Sequence, residues 1–481
     1  MKKVLAILLI SLTPLPFVAL GDDGVITLNE QKVIAIALER NLEVKTARID
    51  KEISRTGIQA AKSVFDTNLR FRSDHLIDKN DQPIPIFGTD NRVTQFNVEV
   101  EKTLPIGTRT QMHWRNRRES TNSPFAVINP FWESSLGLSL EQPFLKNFAG
   151  RADRWNVSAA RQRFETSSAL TQRRILETIY QTVLVYWKWQ FDLENLELTR
   201  RSLHEARRFE ETARLQNQYA LNETTDIVAA QANRVRIENQ ATDVVREREV
   251  SLLRLKEVLN LGPQVKLRSG QRIPPMEKIP STEEALSWAF AHRQDRLAAI
   301  SFLESKQIEL RISKNLKWPA LDLLASINLN GVDSGYGQGL LETVRADHPE
   351  FLIGTQFKMP LENRLAKSEV QKAELEKVKA LYAFKQLENQ IDREVREALQ
   401  NLKSRAQEVA NNRRAEALEL KKWHLERDKY STGRSSSDIV IRYQDDYLRA
   451  QRITLASLYF YRKAWLDLRA AMNDLLPKGG E

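Results

Sequence analysis

The sequence contains no cysteine. That excludes a disulfide framework, a thiolate metal site, a cysteine nucleophile and a lipid anchor on an N-terminal cysteine. The histidines, at 75, 113, 204, 292, 348 and 424, are scattered, and no two stand at metal-ligand spacing. A nucleophile-elbow serine motif, a Walker loop and a glycine-rich dinucleotide turn are all missing. Neither catalysis nor a metal or cofactor is expected. Beyond the first residues, no stretch reaches the roughly 20 apolar residues that a membrane-spanning helix needs. Glycine and proline are sparse, at 17 and 16 of 481 residues. Aromatic residues are present, so wholesale disorder is not expected either.

What is there is charge of both signs, 28% of all residues with a net +10. The positive charges alternate with negative ones, as in Glu247-Arg248-Glu249 and Asp392-Arg393-Glu394. Such runs read as solvated helix faces carrying i,i+4 pairs, not as a nucleic-acid surface. The chain opens with Met1-Lys2-Lys3, an apolar run over residues 4–12, Pro14 and Pro16, then Ala19-Leu20-Gly21. This order predicts a secretory signal over residues 1–21; the alternative, an uncleaved anchor, is countered by the short, proline-broken run. An exported protein without a spanning helix is either soluble or crosses a membrane as a β-barrel.

The rest falls into two halves with the same order of parts. Residues 22–262 form the first repeat, 263–280 a proline-rich linker, 281–476 the second repeat and 477–481 a tail. Each half opens with a helical pattern (28–63; 281–317), the second announced by Ser281 three residues before Glu284. Each then alternates with period two: Phe65, Thr67, Leu69 and Phe71 in the first, Leu323, Ala325, Ile327 and Leu329 in the second. Loops rich in Pro, Gly, Asp and Asn follow (78–91; 330–349). Return strands come next, with Leu136, Leu138 and Leu140, and with Phe351, Ile353, Thr355 and Phe357. A very long helical pattern follows each (150–217; 361–429), then a short break (219–225; 430–437) and a final helix to about 261 and 476. A helix of roughly 68 residues spans on the order of 100 Å, more than any compact domain. Leu176, Ile179, Tyr180, Val183 and Trp187 supply a coiled-coil-like seam.

Long helices paired with one another leave no partner for an amphipathic sheet. One apolar and one polar face is the pattern of a barrel with lipid outside and water inside. Phe131, Trp132, Phe144 and Phe148 flank the strands where interface aromatics would sit. The alternative is a β-sandwich cap on a coiled coil. Only about four to six strands are readable, so closing a wide barrel demands several subunits.

Several segments carry a family resemblance. The return strands run into the long helices through Gln142-Pro143-Phe144-Leu145-Lys146-Asn147-Phe148-Ala149-Gly150-Arg151 and Met359-Pro360-Leu361-Glu362-Asn363-Arg364-Leu365-Ala366-Lys367. Ala35-Ile36-Ala37-Leu38-Glu39-Arg40-Asn41-Leu42 opens the first helix; Asp226-Ile227-Val228-Ala229-Ala230-Gln231 and Tyr430-Ser431-Thr432-Gly433, with Asp438-Ile439-Val440, lie at the breaks. In this order, twice over, the chain resembles the outer-membrane efflux proteins, the TolC-like channels. The resemblance implies a fold mainly α with a transmembrane β-barrel portion, the repeated helical hairpins forming a periplasmic α-barrel. It implies a homotrimer in the outer membrane of a Gram-negative cell, with four strands from each subunit closing a twelve-stranded barrel. It also implies a periplasmic adaptor and an inner-membrane pump as partners, outer-membrane lipid around the barrel, and no nucleic acid. The function implied is the exit duct of a tripartite efflux pump or type I secretion system.

Three departures stand out. An extra candidate hairpin precedes the first return strand: Thr94, Phe96, Val98 and Val100, a tight turn at 104–108, then Thr110, Met112 and Trp114. It either joins the wall or folds beside it. The first break, from Tyr219 to Asp226, is shorter than the second, from Tyr430 to Asp438. In the family, aspartates at the second break narrow the periplasmic entrance, where a carboxylate ring draws cations. Counting from Tyr430 and Gly433, the two aspartate positions fall on Ile439 and Arg442, with Asp438 one residue early. The gate candidates are therefore Asp438, Arg442, Arg434, Asp226 and Tyr430. Asp438 and Asp226 are alternatively helix N-caps, and a further alternative for Asp226 is to tie the two breaks together through Arg434. The rival function is a soluble periplasmic coiled-coil scaffold or adaptor, which would have no use for alternating strands in both halves.

Overall fold

A computed structural model of the chain describes residues 25–475 apart from 82, 83, 85, 87, 220–222 and 275, so the signal segment and the tail lie outside the described residues. In chain order the elements are β1 (Val25–Leu28), α1 (Glu30–Arg40), α2 (Leu42–Lys62), β2 (Thr67–Asp78), β3 (Asn91–Thr103), β4 (Arg109–Thr121) and β5 (Phe131–Pro143). Then come α3 (Arg151–Gln218), α4 (Thr224–Val258), β6 (Lys266–Ser269), α5 (Thr282–His292) and α6 (Gln294–Leu316). The chain closes with β7 (Ala320–Asp333), α7 (Tyr336–Arg345), β8 (His348–Lys358), α8 (Arg364–Ser431) and α9 (Ser437–Met472). Two compact units result, a helical one from residues 25–50, 170–294 and 388–475, and a strand-bearing one from 51–169 and 295–387.

The internal repeat is exact in its longest part, since α3 and α8 have 68 residues each. Each opening helix, expected to be single, is instead broken in two. At the first break Asn41 is extended (φ −60°, ψ 130°), and its side-chain oxygen accepts from Glu43 N at 2.8 Å and Val44 N at 3.2 Å. Its amide donates to the Val258 carbonyl at 2.8 Å. At the second break Arg293 is extended (φ −66°, ψ 122°), and its guanidinium reaches Glu394 at 2.6 Å and the Ala471 carbonyl at 3.3 Å. In both halves a buried polar side chain at the break bonds to a closing or long helix, and in the first half Asn41 also caps the helix that follows.

In the helical unit, Leu176, Ile179, Val183, Tyr186, Trp187 and Trp189 of α3 form the centre of a core with Leu28, Val33, Ile36, Leu255 and Leu466. The expected seam is there, with Tyr180 packed at its margin. The segment read as a linker contributes β6, which pairs in parallel with β1, Val25 opposite Lys266 through Leu28 opposite Ser269. A second core cluster joins Leu399, Leu402 and Val409 of α8 to Tyr461, Ala464 and Leu468 of α9.

The strand-bearing unit holds one six-stranded sheet in the order β2-β3-β4-β5-β7-β8, antiparallel throughout. Both arms of the extra hairpin belong to it. Their turn closes through Gly107 N to Leu104 O and Leu104 N to Thr108 O, both 2.8 Å. Residues 330–349 were expected to be loop, yet they contain the whole of α7. Its packing partner is the sheet, where Gly331 lies against Gly339 and Thr343 and leaves no room for a Cβ.

Candidate channel wall and gate

The register assigns the sheet two unlike faces. Leu69 and Phe71 of β2 stand opposite Val100 and Val98, these opposite Met112 and Trp114, and these in turn opposite Leu138 and Leu136. The same face continues through Ile327 and Leu329 of β7 to Phe351 and Pro349 of β8, with Ile353 and Phe357 further along. Apolar side chains therefore cross all six strands without interruption. Phe71, Phe351 and Ile353 are 66%, 71% and 85% exposed, so none of the described residues covers this face there.

The other face is polar and charged. Arg70 meets Glu99 at 3.1 Å, Arg109 meets Glu141 at 3.0 Å, and Arg117 meets Glu133 at 3.7 Å, each pair bridging two strands. Opposite charges on neighbouring strands support the ladder. Gly137 sits between His113 and Asn328 on this face, and those two side chains occupy the space a Cβ would need.

Toward the Trp132 end of β5, the apolar face reaches a row of small or polar residues, Asn116, Ser134 and Gly331. Here α7 lies over it. Thr343 Oγ1 donates to the Ser134 carbonyl at 3.1 Å, and Tyr336 packs on Trp132 and Phe96 with ring centroids 5.0 and 6.0 Å away. Asn116 and Ser134 are buried beneath it, while Leu341 and Val344 point outward. The helix thus covers the polar row and presents Leu341 and Val344 outward together with Gln338 and Arg345.

The opposite end explains the Pro-to-Asn motif. Asn147 takes the left-handed conformation (φ 60°), and its side chain accepts from Ala152 N at 2.8 Å while donating to Asp153 at 2.7 Å. It caps the start of α3. Asn363 repeats the conformation (φ 47°) just before α8 and donates to the Lys317 carbonyl at 2.9 Å. Asparagine tolerates this region better than other side chains, so the motif marks where a strand turns into a long helix.

The gate candidates gather at the two breaks of the helical unit. Tyr430 is buried on Phe209, ring centroids 5.5 Å apart. Gly433, at φ 74°, ends α8 by donating to the Tyr430 carbonyl at 3.0 Å, while Arg434 N returns to Lys429 O at 3.0 Å. Asp438 is not an N-cap: Ser436 holds that position, and Asp438 lies in the first turn, paired with Arg442 at 2.8 Å. Asp226 is not an N-cap either, since Glu223 holds that place and Asp226 completes a capping box with it. Asp226 does join the two breaks, but through the Ser437 hydroxyl; Arg434 Nε donates to Thr432 at 3.0 Å instead. Sequence reasoning missed Ser437 and also Glu426, which accepts from Ser435 at 2.6 Å and Lys429 at 3.1 Å. Those donors, Ser435 foremost, hold the Glu426 carboxyl below the usual range. A serine-rich break before a helix was the available signal.

No protein-family model and no curated protein matches the sequence. Solved structures do. The Campylobacter jejuni CmeC outer-membrane channel is 17% identical, with 94% of this chain and 87% of that one covered at a TM-score of 0.66. The open state of the Neisseria gonorrhoeae MtrE outer-membrane channel is 17% identical, with 94% and 91% covered at 0.68. The outer-membrane protein VceC of Vibrio cholerae is 15% identical, with 92% and 95% covered at 0.67. Over more than nine-tenths of its length, the chain has the fold of these outer-membrane channels.

Proposed function

We propose that the chain is one subunit of a homotrimeric exit duct in the outer membrane, with its helical part in the periplasm. It receives substrates from a periplasmic adaptor and an inner-membrane pump and passes them to the exterior unchanged. The observation that carries this reading is the apolar face running over all six strands, backed by a charged one. From Leu321 to Leu329 the apolar residues of β7 cover about 26 Å of strand, or roughly 20 Å of height at a barrel tilt near 40°. Leu341 and Val344 of α7 add the next row, so along β7 the apolar residues reach about the 25 Å typical of outer-membrane barrels. A soluble scaffold would leave that face wet at a cost of about 25 cal/mol per Å². Membrane fractionation tests the reading: the protein should require detergent for extraction, and recovery in the soluble periplasmic fraction would refute it.

The tip of the helical unit is the entrance in this reading, with Asp438 and Arg442 at its rim. Each copy brings one carboxylate already paired with a guanidinium, so the ring carries little net charge and selects cations weakly. Arg442→Gln should unmask Asp438 and move the reversal potential in a planar bilayer toward the cation value. Asp438→Asn should move it the opposite way. Reversal potentials unaltered by either change would remove this pair from the entrance.

A further inference from the structure

The hairpin β3–β4 occupies the middle of the sheet, not its margin. It stands between β2 and β5, pairing with β2 from Thr67 opposite Lys102 to Asp78 opposite Asn91. With β5 it pairs from Arg109 opposite Glu141 to Glu119 opposite Phe131. Lifting the hairpin away would deprive β2 of its sole ladder in this sheet. Its apolar residues, Val98, Val100, Met112 and Trp114, also bridge the apolar face between Phe71 and Leu136. Its turn is seated at the mouth of α3, where Gly107 and Gly150 approach so closely that neither has space for a Cβ.

Six strands in alternating directions leave β2 and β8 antiparallel to each other, each with one open edge. A further copy placed at either edge therefore continues the same antiparallel order. Resting on the trimeric reading above, we infer that β8 of each copy pairs with β2 of the next and that three copies close a barrel of eighteen strands. The partner for each edge is a second copy of this chain, and the extra hairpin is wall rather than ornament. At about 4.8 Å between strands and a tilt near 40°, eighteen strands give a backbone diameter of about 36 Å, against about 24 Å for twelve. That is the width at which barrels enclose an aqueous channel. The membrane portion then places no tight limit on cargo size, and its lining carries the Arg70, Glu99, Arg109 and Glu141 ladder.

The absence of native cysteine makes the test direct. Ser139→Cys on the charged face of β5, in the full chain solubilised in detergent, takes one spin label per copy. Pulsed dipolar spectroscopy, corrected for the reach of the inward-facing labels toward the barrel axis, should give a backbone separation of about 31 Å between copies for eighteen strands, whereas twelve would give about 21 Å. Ser326→Cys, opposite it on β7, carries the same expectation and guards against a single variant that fails to fold. A trimer by chemical cross-linking with a separation near 21 Å overturns the inference and leaves the channel reading intact. A cross-linking ladder that stops at one copy overturns the trimer itself and the inference with it.

Discussion

Glu30→Ala is expected to destabilise the helical unit by about 3–5 kcal/mol, the cost of breaking a buried ion pair from one side. Glu30 is 9% exposed in the first turn of α1. It accepts from Arg462 at 2.6 Å, Arg469 at 2.9 Å and Trp187 Nε1 at 3.0 Å. The Arg462 guanidinium also lies 5.0 Å from the Trp187 ring centroid, so removing the carboxylate takes a buried partner from a cation held against an aromatic core. Glu277 still reaches Arg462 at 2.6 Å, which favours the lower end of the range. Glu277→Ala supplies the contrast: its side chain is 45% exposed, and its loss should cost below about 1 kcal/mol. Urea midpoints followed by far-ultraviolet circular dichroism measure both. Equal midpoints for the two variants would mean that Glu30 does not fasten α1 to α9.

How far the architecture could be read beforehand depended on whether its cause was local. Alternation along a strand is local, so Phe96, Val98 and Val100 were visible as a strand from their own spacing. Strand order is not local. Those residues alternate equally well inside a wall or beside it, and only the ladders to β2 and β5 decide. The breaks at Asn41 and Arg293 escaped notice for the same reason. Helical spacing continues through both, and the bonds that favour the break go to Val258 and to Glu394 and Ala471, far along the chain. In α7 the misleading feature was glycine, which normally marks loops. Gly339 sits instead where the helix backbone meets Gly331 of the sheet, a packing role that composition does not reveal.

The tip shows the limit most clearly. The break expected over 430–437 is present, with α8 ending at Ser431 and α9 starting at Ser437. Asp226 and Asp438 looked equivalent by position, each just after a break. Their surroundings separate them: Asp226 bonds to Ser437 across the breaks, whereas Asp438 lies in solvent with Arg442. Asp438 is the exposed carboxylate of the two, and Asp226 fastens the breaks together. Side-chain environment, not residue type, makes that distinction.

The same substitution at two glycines should act with opposite signs. Gly150→Ala falls where φ is +68°, and its Cβ would collide with the Pro105 carbonyl oxygen and stand 2.7 Å from Gly107 N. Both obstacles are backbone, so no side chain can swing aside. The left-handed conformation costs an L-residue roughly 1–2 kcal/mol and overpacking about 1–3 more, so a loss of about 2–5 kcal/mol is expected. Gly107→Ala should be similar, because its Cβ would lie 2.6 Å from Gly150 N. The double variant should cost less than the sum, since one displacement of the turn relieves both clashes. Gly57→Ala lies inside α2 with nothing within 4 Å of the new Cβ. Alanine loses less backbone freedom there, and a gain of about 0.5–1 kcal/mol follows. Urea midpoints again provide the measure. A neutral Gly150→Ala would show that the hairpin turn does not rest on the start of α3, and the seat proposed for the extra pair of strands would fall with it.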